Sequence, residues 1–189
     1  MGARKKLNAG KKIVVTGPFA AGKTTLIRTI SEITVLSTEK DITDETRARK
    51  NETTVAMDFG RITIDRDLVL YLFGTPGQER FDFMWEILGE GMLGYVLMLD
   101  ATRPGSAEEA RSILEAFRRM ARVPFVVALN RSDGLDPAEE ARVREVLGID
   151  PDVPVVPCDA VDRESVKAVL LALLYAVLDS LDAEPAHSV

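Results

Sequence analysis

Apolar residues along this 189-residue chain alternate between continuous runs of strand length and stretches at helical spacing. Lys12–Thr16, Tyr95–Asp100, Phe125–Asn130 and Val153–Pro157 are short apolar runs of the kind that a strand covered on both faces requires. Val55–Ile64 and Leu68–Phe73 flank Asp65-Arg66-Asp67 and predict a hairpin. Helices are predicted over Lys23–Ser31, Ser106–Ala121, Pro137–Leu147 (proline near its start) and Arg163–Leu181. Thr34–Asn51 is polar, mixed in charge and without period, so it reads as a long loop. Strands spaced by helices imply an α/β fold, with a mostly parallel six-stranded sheet covered on both faces. The expected plan is a basic tail over residues 1–10, one domain over 11–181 and a tail over 182–189. No internal repeat interrupts it.

One turn in this pattern carries chemistry. Gly17 to Thr24 reads G-P-F-A-A-G-K-T, directly after Ile13-Val14-Val15, and matches the phosphate-loop pattern G-x-x-x-x-G-K-[ST] at every fixed position. A chance match in a chain this long is roughly a 1% event on ordinary residue frequencies. Gly17 and Gly22 let the backbone turn tightly and approach an anion. Successive amides of Phe19, Ala20, Ala21, Gly22, Lys23, Thr24 and Thr25 can cradle phosphates, aided by the positive end of the helix that follows. Lys23 can reach the β- and γ-phosphates, and the Thr24 hydroxyl can ligate Mg²⁺.

Composition narrows the picture. A net charge of −6 argues against nucleic acid as the main partner, and 46% hydrophobic with 29% charged residues suits a real core. The single cysteine, Cys158, excludes an internal disulfide, and the single histidine, His187, argues against a histidine metal site or general base. No stretch reads as a membrane span, a signal peptide or a lipidation motif, so a cytoplasmic protein is expected. Arg4, Lys5, Lys6, Lys11 and Lys12 read as a solvated basic tail, with peripheral attraction to an anionic membrane as the alternative.

In open parallel sheets, ligands bind at the carboxyl ends of strands. The segments there are Gly74-Thr75-Pro76-Gly77-Gln78-Glu79-Arg80-Phe81, Asn130-Arg131-Ser132-Asp133 and Cys158-Asp159-Ala160, with Thr53-Thr54-Val55-Ala56-Met57-Asp58-Phe59 ahead of the second strand. Together they resemble the Ras-like small GTPases over nearly the whole chain, from about Lys11 to Leu181. The likeness is closest to the bacterial gliding-motility polarity GTPases and conservon-type GTP-binding proteins, which have a Rab- or Arf-like core.

This resemblance implies GTP or GDP with Mg²⁺ as ligands. The Asp133 carboxylate would accept two hydrogen bonds from guanine, whereas adenine presents an acceptor at N1 and would leave it unpaired. Asn130 would bond the base edge and brace the loops. Arg131, where the family has lysine, would stack on the base. The Asp159-Ala160 turn, a weak match to the family's S-A-K, would offer the Ala160 amide to guanine O6. Thr54, with Thr53 as the rival, would close onto Mg²⁺ and the γ-phosphate. Gly77 would donate to the γ-phosphate, and Gln78 would orient the attacking water.

Three departures from the family matter. Gly74 stands where most members hold Mg²⁺ through water with an aspartate, which implies weaker metal retention and faster nucleotide exchange. Phe19 replaces a usual glycine and would obstruct an arginine finger supplied in trans, while Arg47 and Arg49 could supply one in cis or be plain solvated residues. Pro76 stiffens the second switch.

Phe81, Phe83, Met84 and Trp85 are either a partner surface or packing against a neighbouring helix. Val169–Leu178, apolar nearly all round, is either deeply packed or offers a second apolar face. The kinship implies a roadblock/LC7-type dimeric regulator as partner. The leading expectation is a slow GTP-hydrolysing switch. Its rivals are a non-hydrolysing nucleotide-binding scaffold and an ATP-using phosphate-loop kinase or ATPase.

Overall fold

Hydrogen bonding joins seven strands into one sheet in the order β2-β3-β4-β1-β5-β6-β7. The computed structural model describes residues 10–37, 57–66, 68–76 and 82–183, with backbone only at 82 and 83. The strands are β1 (Lys11–Thr16), β2 (Leu36–Ser37), β3 (Asp58–Asp65), β4 (Leu68–Gly74), β5 (Met92–Asp100), β6 (Phe125–Asn130) and β7 (Val155–Cys158). The helices are α1 (Lys23–Ile30), α2 (Asp82–Gly89), α3 (Ser106–Met120), α4 (Pro137–Leu147) and α5 (Arg163–Ala183). Strands β4, β1, β5, β6 and β7 run parallel, and β3 pairs antiparallel with β4. The fold is therefore the α/β arrangement that the pattern predicts. The seventh strand is the two-residue β2, which lies inside the segment expected to be loop and adds an edge beyond β3.

The continuous apolar runs follow from burial on both faces. Ile13 and Val15 of β1, Val96 and Met98 of β5, and Val126 and Ala128 of β6 pack under α1 and α5. Their neighbours Val14, Leu97, Leu99, Val127 and Leu129 pack under α2, α3 and α4. Successive strand side chains point to opposite faces, so each strand feeds two cores at once.

Helix ends are set by local chemistry. Asp136 caps α4 by accepting the Ala138 amide at 3.1 Å, Pro137 opens it, and Gly148 closes it at φ 59°. Lys12, read as part of a solvated tail, lies in β1 and donates to the Glu90 carbonyl (2.9 Å) just past α2, so it ties that helix to the sheet.

Helix α2 was not foreseen. Within it Trp85 is buried, donates from Nε1 to the Pro76 carbonyl at 3.2 Å and packs its ring at a tilt against Phe117. For Trp85 the packing alternative is the one observed; Phe81 and the Phe83 side chain lie outside the described residues. Helix α5 shows both of its proposed features. Val166, Val169, Leu170, Leu173 and Val177 are buried, whereas Leu171, Tyr175, Leu178 and Leu181 form an exposed stripe. Among the described residues no helix is long and apolar enough to cross a membrane.

Candidate functional site

The loops that follow β1, β4, β5, β6 and β7 meet at one edge of the sheet, with β1 between β4 and β5. The loop from Gly17 to Gly22 leads from β1 into α1. Gly17 has φ 141° and Gly22 φ 104°, both in the region that side chains avoid. Each glycine is also required by what lies against it. A Cβ on Gly17 would overlap the Met98 carbonyl oxygen of β5, and one on Gly22 would overlap the Asn130 amide nitrogen. Ala20 also takes positive φ, 61°, a strained choice that fits a tightly wound anion loop. Gly22 caps α1 with no side-chain bond to its first turn, so the leading amides of Lys23, Thr24 and Thr25 are left for an anion.

Lys23 is 8% exposed, and its ammonium donates to the carbonyls of Gly17 (2.8 Å) and Pro18 (2.6 Å). Burial lowers its pKa to about 8, with Asp58 opposing and Arg103 adding to the shift. It is thus charged at neutral pH and folded back over the loop, ready to turn to a phosphate. A pH dependence follows. Below about pH 8 Lys23 carries its proton whether or not phosphate is bound, so affinity is flat there. Above about pH 8 the free protein loses that proton, and a bound phosphate holds it until the higher pKa of the complex is reached. Affinity should therefore fall with rising pH across that window, by up to about tenfold per unit, with proton uptake on binding near pH 9. Calorimetry in two buffers of different ionisation heat measures that uptake; no uptake would mean that Lys23 does not meet phosphate.

The Thr24 hydroxyl donates to the carboxylate of Asp58, which is 9% exposed. A hydroxyl and a buried carboxylate side by side are hard oxygen donors, the kind Mg²⁺ takes when phosphates and water complete its shell. Among the described residues no cluster of three His, Cys, Asp or Glu could hold a metal alone. These residues fit a cation that arrives with a nucleotide. Asp58 lies in the segment Thr53–Phe59 but was assigned no role; the local signal was an acid in step with the buried alternate positions Gly60 and Ile62 of the strand it opens.

Asn130 closes the β6 end. Its Nδ2 donates to the Ala21 carbonyl at 3.0 Å, and its Oδ1 accepts the Ala160 amide at 3.0 Å. It therefore braces the phosphate loop against the turn after β7, where Thr29 also donates to the Ala160 carbonyl at 2.6 Å. The expected contact of the Ala160 amide with a base is a correction. That amide is engaged by Asn130, and its neighbours are engaged too, Asp159 N with Ser165 Oγ (2.8 Å) and Val161 N with Asp159 Oδ1 (3.1 Å).

Arg131, at φ 61°, pairs with the Asp100 carboxylate. Burial pushes the Asp100 carboxyl up, but hydrogen bonds from Thr102 and the charges of Arg131 and Arg103 outweigh it and hold it below the usual range. Asp100 is a second residue that sequence reasoning missed; it fixes the turn that carries Asp133. Asp133 itself is exposed and makes no hydrogen bond or ion pair among the described residues. Phe19 stands out from the loop, 63% exposed. Burial pushes the Cys158 thiol up to about 11, which suits a packing residue. Thr54, Gly77 and Gln78, with Thr53, Arg47 and Arg49, lie outside the described residues.

A mostly parallel sheet with a glycine-bounded loop, buried lysine and threonine at the start of α1 defines a phosphate-loop nucleotide-binding protein. The family model described as "Conserved hypothetical ATP binding protein" matches residues 15–180, and the chain belongs to that family. It is 32% identical over 122 residues to an uncharacterised protein of Methanocaldococcus jannaschii, covering 65% of this chain and 70% of that protein. It is 26% identical over 132 residues to Ras-related protein Rab-32C of Dictyostelium discoideum, covering 67% of this chain and 54% of the relative.

Proposed function

We propose that this chain is a guanine-nucleotide switch. It holds GTP or GDP on the loop from Gly17 to Thr25, hydrolyses GTP slowly and signals its nucleotide state to a partner protein. The observation that carries the guanine reading is the free, exposed carboxylate of Asp133, one turn beyond an asparagine already braced to the phosphate loop. An acid left unpaired at that place matches the two adjacent donors of guanine and nothing on adenine. The likeness to a Ras-related protein supports the same reading. The description of the family favours ATP as the second reading, in which Asp133 has no assigned work.

In this function Lys23 and the first amides of α1 bind and orient the phosphates, which places catalysis on positioning and charge neutralisation. The Thr24 hydroxyl would help to hold Mg²⁺, which would supply charge neutralisation at the phosphates. Gln78 would orient the water, and Thr54 and Gly77 would close on the γ-phosphate. Phe19 keeps an arginine finger in trans from an easy approach. A roadblock/LC7-type dimer is the partner class that the kinship implies.

Titration with GTP, GDP and ATP in the presence of Mg²⁺ tests the reading. Guanine nucleotides should bind at least tenfold tighter than ATP; equal affinity would overturn the guanine assignment. Asp133→Asn should lose about 10- to 100-fold in GTP affinity, the worth of a hydrogen bond to a charged group. It should also gain xanthosine triphosphate, whose C2 carbonyl accepts where guanine donates. A variant that binds GTP as the parent does would remove Asp133 from base recognition.

A further inference from the structure

At a phosphate loop, a nucleotide-bound divalent cation is held by the loop's Ser or Thr and by one carboxylate at the end of a neighbouring strand. The strands beside β1 are β4 and β5. The last residue of β4 is Gly74, which has no side chain to offer. The last residue of β5 is Asp100, but its carboxylate is taken by the Thr102 amide (3.0 Å), the Thr102 hydroxyl (2.7 Å) and Arg131.

Among the described residues, the acid beside Thr24 comes from one strand further out. Asp58 is the register partner of Gly74 across the antiparallel pair β3–β4. It is buried, and it already accepts the hydroxyl of Thr24. A Cβ built on Gly74 would lie 3.1 Å from the Asp58 Cβ, 3.3 Å from its Oδ2 and 3.0 Å from Ile27 Cδ1. A side chain at position 74 would therefore crowd the space that the buried acid already occupies.

We propose that Asp58 supplies the metal-holding carboxylate of this chain, reaching from β3 over Gly74 to the Thr24 hydroxyl. The acid has moved one strand sideways and has kept its place beside the threonine. The absence of an acid on β4 is then a transposition, and metal retention does not have to be weak. This rests on the nucleotide reading above and names the metal-positioning residue of the same site.

The test is the release rate of methylanthraniloyl-labelled GDP, with labelled ADP in parallel, from the full chain in excess Mg²⁺ and in EDTA. The parent should release nucleotide slowly in Mg²⁺ and faster in EDTA. Asp58→Asn should release it about 10- to 100-fold faster than the parent in Mg²⁺, the usual cost of losing a carboxylate that supports a metal, and at the parent's rate in EDTA. The double variant Asp58→Gly/Gly74→Asp, which clears both the Cβ and the carboxylate from position 58, should regain the response to Mg²⁺, because the acid returns to the site from the other strand. A merely structural role would speed release equally in both conditions. That result, an Asp58→Asn response equal to the parent's, a double variant no better than Asp58→Asn, or a parent insensitive to Mg²⁺ would overturn the proposal. Retention of ADP over GDP would overturn the guanine reading alone, since the Mg²⁺ response could still be read on ADP.

Discussion

Lys23→Met is expected to abolish useful nucleotide binding and to leave the fold almost as stable as before. The two effects separate because Lys23 does two opposing things. In the free protein its ammonium is buried, and the drop in its pKa from 10.5 to about 8 corresponds to a cost of about 3 kcal/mol for holding the charge at neutral pH. Methionine has a similar length and removes that cost. It also leaves the Gly17 carbonyl without its donor, at about 1–3 kcal/mol, while the Pro18 carbonyl keeps the Ala21 amide at 3.3 Å. These terms are of similar size, so the melting temperature should move by only a few degrees, on the order of 2–4 °C per kcal/mol for a chain of this size. With a triphosphate bound, the same ammonium faces opposite charge in a water-poor pocket. Losing it should cost about 3–5 kcal/mol, or roughly 100- to 4,000-fold in affinity. Isothermal titration beside thermal unfolding reads both numbers. Triphosphate affinity within tenfold of the parent would remove Lys23 from the site.

What the sequence made legible follows from which physical cause leaves a local trace. The central strands β1, β5 and β6 are covered on both faces, so burial writes itself as an unbroken apolar run. The phosphate loop is legible because an anion cradle needs fixed residue types at fixed spacing. Boundaries were lost where a turn imitates a strand. The predicted start of β7 at Val153 is a turn, with Val153 N donating to the Asp150 carbonyl at 3.1 Å, and pairing begins at Val155. Helix α2 is two turns long and rich in apolar residues, too short for a 3.6-residue period to show, so Trp85 read equally well as surface or core.

The Asp58–Gly74 contact was out of reach for a different reason. A cross-strand neighbour is fixed by register, and the β3–β4 pairing carries an irregularity between Thr63 and Asp65 that shifts it by one residue. Counting outward from the turn without that shift brings a different residue opposite Gly74. The expectation of weak metal retention rests on position 74 read along the chain alone, and the nucleotide-release comparison of Asp58→Asn with the parent tests it.

The second large effect is expected at Asn130, where one side chain holds two loops at once. Asn130→Ala would leave the Ala21 carbonyl and the Ala160 amide, both in buried residues, without partners. At about 1–3 kcal/mol for each of the two orphaned groups, the variant should lose about 2–6 kcal/mol, or about 4–24 °C in melting temperature. Nucleotide affinity should fall together with stability, because Gly22 packs on the amide that is removed. Asn130→Asp separates the two bonds. Its carboxylate can still accept the Ala160 amide but turns a second acceptor toward the Ala21 carbonyl. Burial and that repulsion raise the folded-state pKa of the new acid above its unfolded value. Its penalty is therefore absent well below the unfolded pKa, grows as pH rises, and is complete above the folded pKa. The Asp variant should regain stability relative to the parent as the solution is acidified, while the Ala variant should keep a constant deficit. Parallel unfolding curves for the two variants across pH would show that the contact with Ala21 contributes nothing and that Asn130 acts through Ala160 alone.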